Sequence, residues 1–416
     1  MQKFLSKNRW VMLCAGVIVM ACTTFPVLWG VFQADAAATY GITLEESAML
    51  FPMCNAFYGV VSIFGGKLQD KFKPNIVASI GSILMGFGII MLSVLGEGTS
   101  ITTLYVCFAL PFGTGCGLIA PALMSTLMKW YADKKGFVMG TTSAIASAIL
   151  MVLTYVSKYL LSIWGCQKVF LVYGITFMIL TLLSTLMFIT PSREYIMEKS
   201  AIALANVAKT GKTAAAPTHL VDFTPGEMLK TKQFWLLFIA SIFATPTYML
   251  MTPIIVTLGI SRGLSETLAV SAVAIATGAS AVGKFIIPTL SDKIGRKKCA
   301  VIFTSLCAVF SIFLMKATGI SLLVAYAGMV FTYGGWFTLI SPFVVDMFGN
   351  ANAGANMGIM SVQATLASLA CSFTMAYLVP AMGPMANHII GIGGMVIAVL
   401  LISALNTNTA RLKENN

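Results

Sequence analysis

A single lysine interrupts one of the most apolar stretches of the chain. Residues 268–283 hold no charge, and Lys284 follows within the run VGKFIIPTLSDKIGRKK, which becomes hydrophilic only at Ser291. A charge at membrane depth costs at least about 2.5 kcal/mol even on lenient insertion scales, so such groups usually face a cavity or a partner. The chemistry that an ammonium group offers there is the binding of an anion such as a carboxylate.

The elements that must position Lys284 follow from the composition. Of 416 residues, 58% are hydrophobic and only 10% are charged, against about 25% charged in soluble domains. Twelve apolar runs are long enough to cross a hydrocarbon layer of about 30 Å. They are numbered here as spans 1 to 12 and lie near residues 10–33, 47–68, 75–96, 100–129, 136–158, 167–190, 233–258, 266–290, 299–317, 320–346, 352–378 and 385–405. The sequence therefore predicts an all-α membrane protein, whose first run is too long for a cleaved signal peptide.

The net charge of +12 is distributed by side of the membrane and does not indicate nucleic-acid binding. With twelve spans, 21 of the 26 cations lie at the termini and in even-numbered connections. The odd-numbered connections hold only Lys158, Lys168, Arg262 and Lys316, and Lys284 is the remaining cation. The positive-inside rule then predicts that both termini are cytoplasmic.

Cysteine and histidine usage argues against metal, cofactor or catalytic chemistry. The nine cysteines lie almost wholly within spans and form no C-x-x-C pair, and the two histidines are His219 and His388. No nucleophile–base set or phosphate loop accompanies them. The sequence predicts no enzyme, no metal site and no cofactor.

The chain divides into two similar halves. A polar segment containing ALANVAKTGKTAAAPTH has the composition of a linker, which gives bundles at 1–190 and 233–416 and a linker at 191–232. GGKLQDKFK around Asp70 recurs as PTLSDKIGRK around Asp292, and Pro121 recurs as Pro342 at almost the same offset along the chain. These repeats predict two pseudo-symmetric six-helix bundles.

The turn pattern D-K-x-(G)-R/K after the second span of each half resembles the major facilitator superfamily. The residues concerned are Asp70, Lys71, Asp292, Lys293 and Arg296. An acid beside cations at a helix end can pair with facing helix termini in one conformation and release them in another. We therefore predict a gating role for these five residues, with topology alone as the alternative.

Longer stretches resemble the oxalate/formate antiporter family, which is related to the monocarboxylate transporters. They are FPVLWGVF in span 1, FGGKLQDKF after span 2, MKWYADKKG after span 4, the span 8 segment around Lys284, and TYGGWFTLISPFVVDMFGNANAGANMG across spans 10 and 11. The resemblance implies that Lys284 stands where relatives carry a substrate-binding arginine. It also implies that relatives carry a second cation in span 11. The matching neighbourhood of this chain has the uncharged Gln363 instead, so Lys284 is the only one of the two cations that remains.

Further pocket residues come from the same resemblance and from helical spacing. Tyr333 and Phe337, four residues apart on one face of span 10, match aromatic cage positions. Trp29 matches a family tryptophan, and Asn55 matches a pocket amide. Trp336 is added as a neighbour. For each aromatic residue, ordinary helix or lipid packing remains the alternative.

The position of Lys284 decides between substrates. It lies eight residues before Asp292, about 12 Å along a helix, and the sequence places no acid beside it in the interior. There are two alternatives to anion binding. Lys284 could form an ion pair with Asp346, or its side chain could extend to the inner surface of the membrane. With one cation a dianion would be half neutralised, which is costly in a low-dielectric site, so the sequence favours a monocarboxylate.

These observations together predict a monomeric secondary transporter in the inner membrane of a bacterium. It would move a formate-, acetate-, lactate- or pyruvate-type anion by exchange, with proton symport through Lys284 or the substrate as the second mode of coupling. An oxalate or dicarboxylate exchanger and a multidrug or metabolite exporter are the alternatives. The exporter would normally need an interior carboxylate, which the sequence lacks.

Overall fold

The protein was analysed as a computed structural model that describes residues 8–209, 222–383 and 385–407. Every regular element within those ranges is helical, which confirms the predicted all-α class. His219 and the cations Lys3, Lys7, Lys212, Arg411 and Lys413 lie outside the described residues.

The helices follow the predicted spans closely. Nine helices in the described part of the chain are long and apolar enough to cross a membrane, or ten if the bent pair Trp10–Thr23 and Phe25–Tyr40 counts as one span. Of these, Lys135–Leu186 has 52 residues and a break at Gly165 (φ 73°). With a rise of about 1.5 Å per residue, this helix is more than twice as long as the hydrocarbon layer is thick, so it comprises spans 5 and 6. The predicted span 11 corresponds to the helix Ala353–Phe373, which is not among these nine helices.

The bounds of the other spans are as follows. They are Leu50–Lys71 for span 2, Pro74–Val94 for span 3, Ile101–Trp130 for span 4, Lys232–Ser261 for span 7, Glu266–Ile294 for span 8, Arg296–Lys316 for span 9, Gly319–Phe348 for span 10, Ala353–Phe373 continuing to Val379–Met382 for span 11, and Ala386–Ser403 for span 12.

Several spans are interrupted, and proline accompanies the breaks in spans 1 and 7. Span 1 bends by 45° at the 3₁₀ turn Phe25–Leu28, which contains Pro26. Span 7 is divided after Ala244 into Pro246–Met249, the 3₁₀ turn Thr252–Ile254 and Ile255–Ser261. Proline lacks an N–H group and clashes with the preceding turn, which explains these breaks. Spans 4 and 11 each contain one π-helical turn, at Tyr105–Ala109 and Thr374–Leu378.

The chain forms two compact units. Unit 1 contains residues 1–130, 145–193 and 351–365, and unit 2 contains residues 131–144, 194–350 and 366–416. Each unit thus holds most of one predicted half and a short piece of the other. Unit 1 includes the beginning of span 11, and unit 2 includes the beginning of span 5. The predicted domain boundaries at 190 and 233 remain a prediction.

The described parts of the segment between the halves contain more structure than the composition suggested. Residues Arg193–Lys209 form a helix, because alanine, glutamate and lysine favour helix even in a tract of low complexity. Close to span 7, the segment is fixed to the end of span 10. The Phe223 N–H donates to the Phe348 carbonyl at 3.0 Å, and the Asp222 carboxylate accepts from the Asn350 N–H at 2.8 Å. The Phe223 ring is buried edge-on against Phe348.

Candidate functional site

Four charged side chains form a network within unit 2, where span 5 begins beside the ends of spans 8 and 10. The Arg296 guanidinium bonds Asp292 at 2.6 Å and Asp346 at 2.8 Å, and the Lys135 ammonium bonds the other Asp346 oxygen at 2.8 Å. The Lys135 and Arg296 side chains are only 7% and 10% exposed. Two acids thus balance two bases in a partly buried cluster, as buried charge requires.

Asp292 also holds the first turn of span 5. Its two carboxylate oxygens accept the backbone N–H groups of Gly136 at 3.0 Å and Phe137 at 2.8 Å. A carboxylate at a helix N-terminus satisfies N–H groups that have no partner inside the helix and interacts favourably with the helix dipole.

Asp70 makes the equivalent contact in unit 1. Its carboxylate accepts the N–H of Ala355, in the first turn of span 11, at 2.8 Å. Gln69 donates to the other oxygen at 3.2 Å and accepts from Ser125 at 3.0 Å. The two acids of the repeated motif therefore make equivalent contacts. Each accepts backbone N–H groups in the first turn of a helix that is distant in the sequence, span 5 for Asp292 and span 11 for Asp70.

The two lysines of the predicted gating set lie outside these contacts. Lys71 and Lys293 are exposed, and the Lys71 ammonium lies 5.7 Å from the Phe72 ring centroid. Their gating role stays a prediction without a contact to support it. The lysine that does take part in the network is Lys135, which pairs with Asp346. The sequence analysis counted it only among the cations that set the topology. Its position in MKWYADKKG, beside the motif stretches, was the available signal.

Glycines bring span 5 against span 8 near Lys284. A Cβ at Gly140 would lie 2.8 Å from the Lys284 carbonyl oxygen, and a Cβ at Gly136 would collide with the Pro288 carbonyl. On another side of span 8, Gly283 packs on the Phe331 backbone of span 10. The helix that carries Lys284 is therefore closely packed between these two neighbours.

Lys284 itself is half-buried in the long helix Glu266–Ile294. It is not an isolated charge, because it interacts with another residue. The alternative partner, Asp346, is engaged by Lys135 and Arg296. A substrate carboxylate would therefore add to, or replace, an existing contact of Lys284.

An aromatic stack lies on span 10 in the same unit. Tyr333 is 8% exposed and stacks on Tyr248 of span 7 with ring centroids 4.9 Å apart, while Phe337 lies 6.5 Å from Tyr333 and is 45% exposed. The Thr245 hydroxyl of span 7 donates to the Ser241 carbonyl at 2.9 Å. Trp336 is almost completely buried. Tyr248 and Thr245 were missed by the sequence analysis, although their spacing around Pro246 marks the break in span 7.

Trp29 lies in a different environment, inside unit 1. Its ring stacks on Phe108 and Phe170, with centroids 5.4 and 6.0 Å away, and its indole N–H donates to the Ser47 carbonyl at 2.8 Å. At 3% exposure its ring is buried, and these contacts fit the packing alternative. A pocket role for Trp29 stays a prediction.

The amide candidates of unit 1 lie on spans 2 and 11. Asn55 is half-buried, and its backbone carbonyl accepts a hydrogen bond from the Thr365 hydroxyl at 2.7 Å. Gln363 is 4% exposed, and its side-chain oxygen has no hydrogen-bond partner among the described residues. A buried orphan acceptor needs a water or a ligand, so Gln363 stays a candidate for the pocket.

Substitution of Gly59 tests how tightly these two helices must pack. A Cβ at this position would overlap the Thr365 side chain, so Gly59→Ala should lower stability by about 1–3 kcal/mol, as overpacking does. Thermal unfolding in detergent measures the effect, and Thr365→Ala in the same chain should restore most of the loss. Gly30→Ala is the control, because nothing lies within 4 Å of its added methyl group. Equal behaviour of Gly59→Ala and Gly30→Ala would contradict the close packing.

Comparison with known proteins agrees with this architecture. The family model of the Major Facilitator Superfamily matches residues 11–372. The oxalate:formate antiporter of Oxalobacter formigenes is 26% identical over 367 residues, which cover 87% of this chain and 83% of the relative. The uncharacterized MFS-type transporter YhjX of Escherichia coli K12 is 24% identical over 366 residues, covering 85% and 84%. The resemblance drawn from the motifs is confirmed.

Solved structures show the same fold at low identity. The proton:xylose symporter XylE aligns with a TM-score of 0.72 at 15% identity, covering 97% of this chain and 98% of that one. The E. coli fucose:proton symporter FucP aligns with a TM-score of 0.68 at 13% identity, covering 96% and 99%. Because the family model covers residues 11–372 and the curated relatives are transporters, the chain is a multi-pass membrane transporter rather than an enzyme, and it belongs to the Major Facilitator Superfamily.

Proposed function

We propose that this transporter moves a small organic monocarboxylate of the formate, acetate, lactate or pyruvate type across the bacterial cytoplasmic membrane. The observation that carries the proposal is Lys284, a half-buried cation eight residues inside the charged end of span 8. Substrate sites of such transporters lie near the middle of the bilayer, where a cation selects for an anion. The relative named for oxalate and formate supports a carboxylate substrate.

The count of charges favours one carboxylate over two. Between Glu266 and Asp292, span 8 holds no charge other than Lys284, and the neighbourhood SVQATLAS of span 11 holds the uncharged Gln363. A second carboxylate of a dianion would therefore lack a charged partner, which costs several kcal/mol in a low-dielectric site.

We assign anion exchange as the mode of coupling. Span 8 holds no acid between Glu266 and Asp292 that could carry a proton beside Lys284. Proton symport through Lys284 is the second mode, since a buried lysine can lose its proton. We assign both termini to the cytoplasm, on the side where the cations concentrate.

Uptake into proteoliposomes tests the proposal. Vesicles loaded with one unlabelled anion are offered labelled formate, acetate, lactate, pyruvate or oxalate, and protein-free vesicles give the background. The expected result is fast uptake of a monocarboxylate that requires an anion inside. Faster uptake of oxalate would favour the dicarboxylate exchanger, which the Oxalobacter relative makes the main rival. Uptake of an organic cation with none of the carboxylates would overturn the proposal.

Phe337 should discriminate by the size of the substrate tail. An aromatic wall on span 10 contacts the methyl-bearing end of lactate or pyruvate but has little to contact on formate. Because one small apolar group is worth about 1–3 kcal/mol in a pocket, Phe337→Ala should raise the KM for lactate about tenfold relative to formate. Phe313→Ala on span 9 is the matched control, since Phe313 is 51% exposed and Phe337 45%. An equal change for both substrates would argue for packing alone.

A further inference from the structure

The last part of the segment between the two halves, residues 222–233, lies wholly within unit 2, and we call it the strap. Three residues lead into the short helix Pro225–Lys230, and Thr231 separates this helix from span 7. The helix begins with a capping box, in which the Thr224 hydroxyl accepts the Glu227 N–H at 3.3 Å and the Glu227 carboxylate accepts the Thr224 N–H at 2.7 Å. Because a capping box satisfies backbone donors at a helix start, the strap has a defined conformation.

Side-chain hydrogen bonds fix the short helix of the strap to the beginning of span 7. Thr231 is 3% exposed, and its hydroxyl donates to the Met228 carbonyl at 2.7 Å. The same hydroxyl oxygen accepts the Phe234 N–H at 3.2 Å. The Trp235 indole N–H donates to the Leu229 carbonyl at 2.8 Å. The short helix and the first turn of span 7 are therefore held as one piece.

The strap also bonds the ends of two other spans. At its beginning, the Phe223 N–H and the Asp222 carboxylate bond the backbone where span 10 ends. At its other end, Gln233 is 8% exposed, and its side-chain oxygen accepts the Asn406 N–H at 2.8 Å, just after span 12. One short segment thus connects the beginning of span 7 with the ends of spans 10 and 12.

Apolar burial distinguishes these contacts from the ion-pair network nearby. Phe223 is 1% exposed and meets the fully buried ring of Phe348 edge-on, with centroids 5.6 Å apart, and Met228 is also fully buried. Release of the strap would expose this apolar surface to water, which is unfavourable. Asp346 of the network lies two residues before Phe348, and charged groups regain their hydration when an ion pair separates. The end of span 10 therefore takes part in one contact that water can replace and one that it cannot.

We propose that the strap holds the beginning of span 7 and the ends of spans 10 and 12 together throughout the transport cycle. The ion-pair network around Asp346 is then the contact that opens. Span 5, which contributes Lys135 to that network, separates while the three strapped ends stay in place. This division of roles does not depend on which substrate is carried. It gives the end of the connecting segment a structural function, although its composition predicted only a linker.

Hydrogen exchange in the Asp346→Asn variant tests whether the strap is independent of the network. The amides to follow are those of Phe223, Asn350 and Asn406, whose N–H groups take part in the strap contacts. Asp346 lies only four residues before Asn350, so the test is demanding. We expect these amides to exchange within about twofold of the parent rate while exchange rises at the beginning of span 5, as read by mass spectrometry with fragmentation. A larger rise at Phe223 or Asn350 would overturn the proposal, because the strap would then loosen with the network.

Shortening the Phe223 side chain tests the strap itself. Phe223→Ala removes the ring that packs on Phe348, so exchange at Asn350 should rise about tenfold or more over the parent. Phe223→Leu keeps an apolar side chain and should give a smaller rise. Phe243→Ala in span 7 is the control, because this ring is 39% exposed, and it should leave exchange at Asn350 unchanged. Parent-like exchange at Asn350 in Phe223→Ala would show that the strap does not hold span 10 and would overturn the proposal.

Discussion

Replacing Lys284 with glutamine should abolish carboxylate uptake while leaving the protein folded. Glutamine keeps a similar length and can still donate hydrogen bonds, but it removes the charge that a carboxylate would pair with. Removing one partner of a desolvated charge pair costs about 2–5 kcal/mol, so a loss of about 3 kcal/mol corresponds to about a hundredfold in apparent affinity. The measurement is the concentration dependence of formate and lactate uptake in proteoliposomes.

Two further variants make the result specific to the charge at this position. Lys284→Arg keeps the charge and adds a planar pair of donors, so it should retain uptake of monocarboxylates and improve that of oxalate relative to the parent. Lys316→Gln removes an exposed lysine from the end of span 9 and should transport like the parent. If Lys284→Gln transports as the parent does, Lys284 does not bind the substrate, and the proposed function loses its main support.

The positions of the membrane spans could be predicted because hydropathy acts over about 20 residues and averages out local exceptions. The helix Arg296–Lys316, for example, begins and ends within three residues of its expected run. The interruptions of span 7 could not be predicted in detail. Pro246 indicates a break, but whether the helix resumes as 3₁₀ or α depends on what packs around it.

The candidate site was predictable where a charge lies in an apolar stretch of sequence and unpredictable where ion pairs join residues that are far apart in the sequence. Lys284 is visible in the sequence because its neighbours are apolar. The partners of Asp346 are not, since Lys135 lies 211 residues before it and Arg296 lies 50 residues before it, and only the fold brings them together. Trp29 shows the opposite difficulty, because a family position does not reveal that Phe108 and Phe170 both stack on its ring.

The repeated motif around Asp70 and Asp292 places a carboxylate at the first turn of span 11 and of span 5. Asp292 and Asp70 each bind backbone N–H groups that the helix itself cannot satisfy. Such contacts are strong when made and leave no distorted backbone when broken, because water can take over the same N–H groups. They are therefore suited to a transporter that must form and release helix contacts in each cycle, which is the gating role predicted for these acids.

Asp346→Asn should disrupt the ion-pair network of unit 2 and lower the stability of the protein. It leaves Lys135 without its partner and weakens the hold on Arg296, and breaking a buried ion pair from one side costs about 3–5 kcal/mol. We expect the beginning of span 5 to loosen from span 8. Hydrogen exchange at Gly136 and Phe137, whose N–H groups bind Asp292, should rise, and the rate of transport should change without loss of the substrate preference.

The loss should be partly reversed by removing the cation that Asp346→Asn leaves unbalanced. Asp346→Asn with Lys135→Gln has no uncompensated ammonium group, so it should be more stable than the single variant, with a coupling of about 1–3 kcal/mol in a double-mutant cycle. Glu198→Gln is the control, because Glu198 pairs with Lys199 at 3.4 Å with 65% of its side chain exposed, and such surface pairs contribute little. If Asp346→Asn leaves exchange at Gly136 and Phe137 unchanged, the network fixes local charge but does not hold span 5.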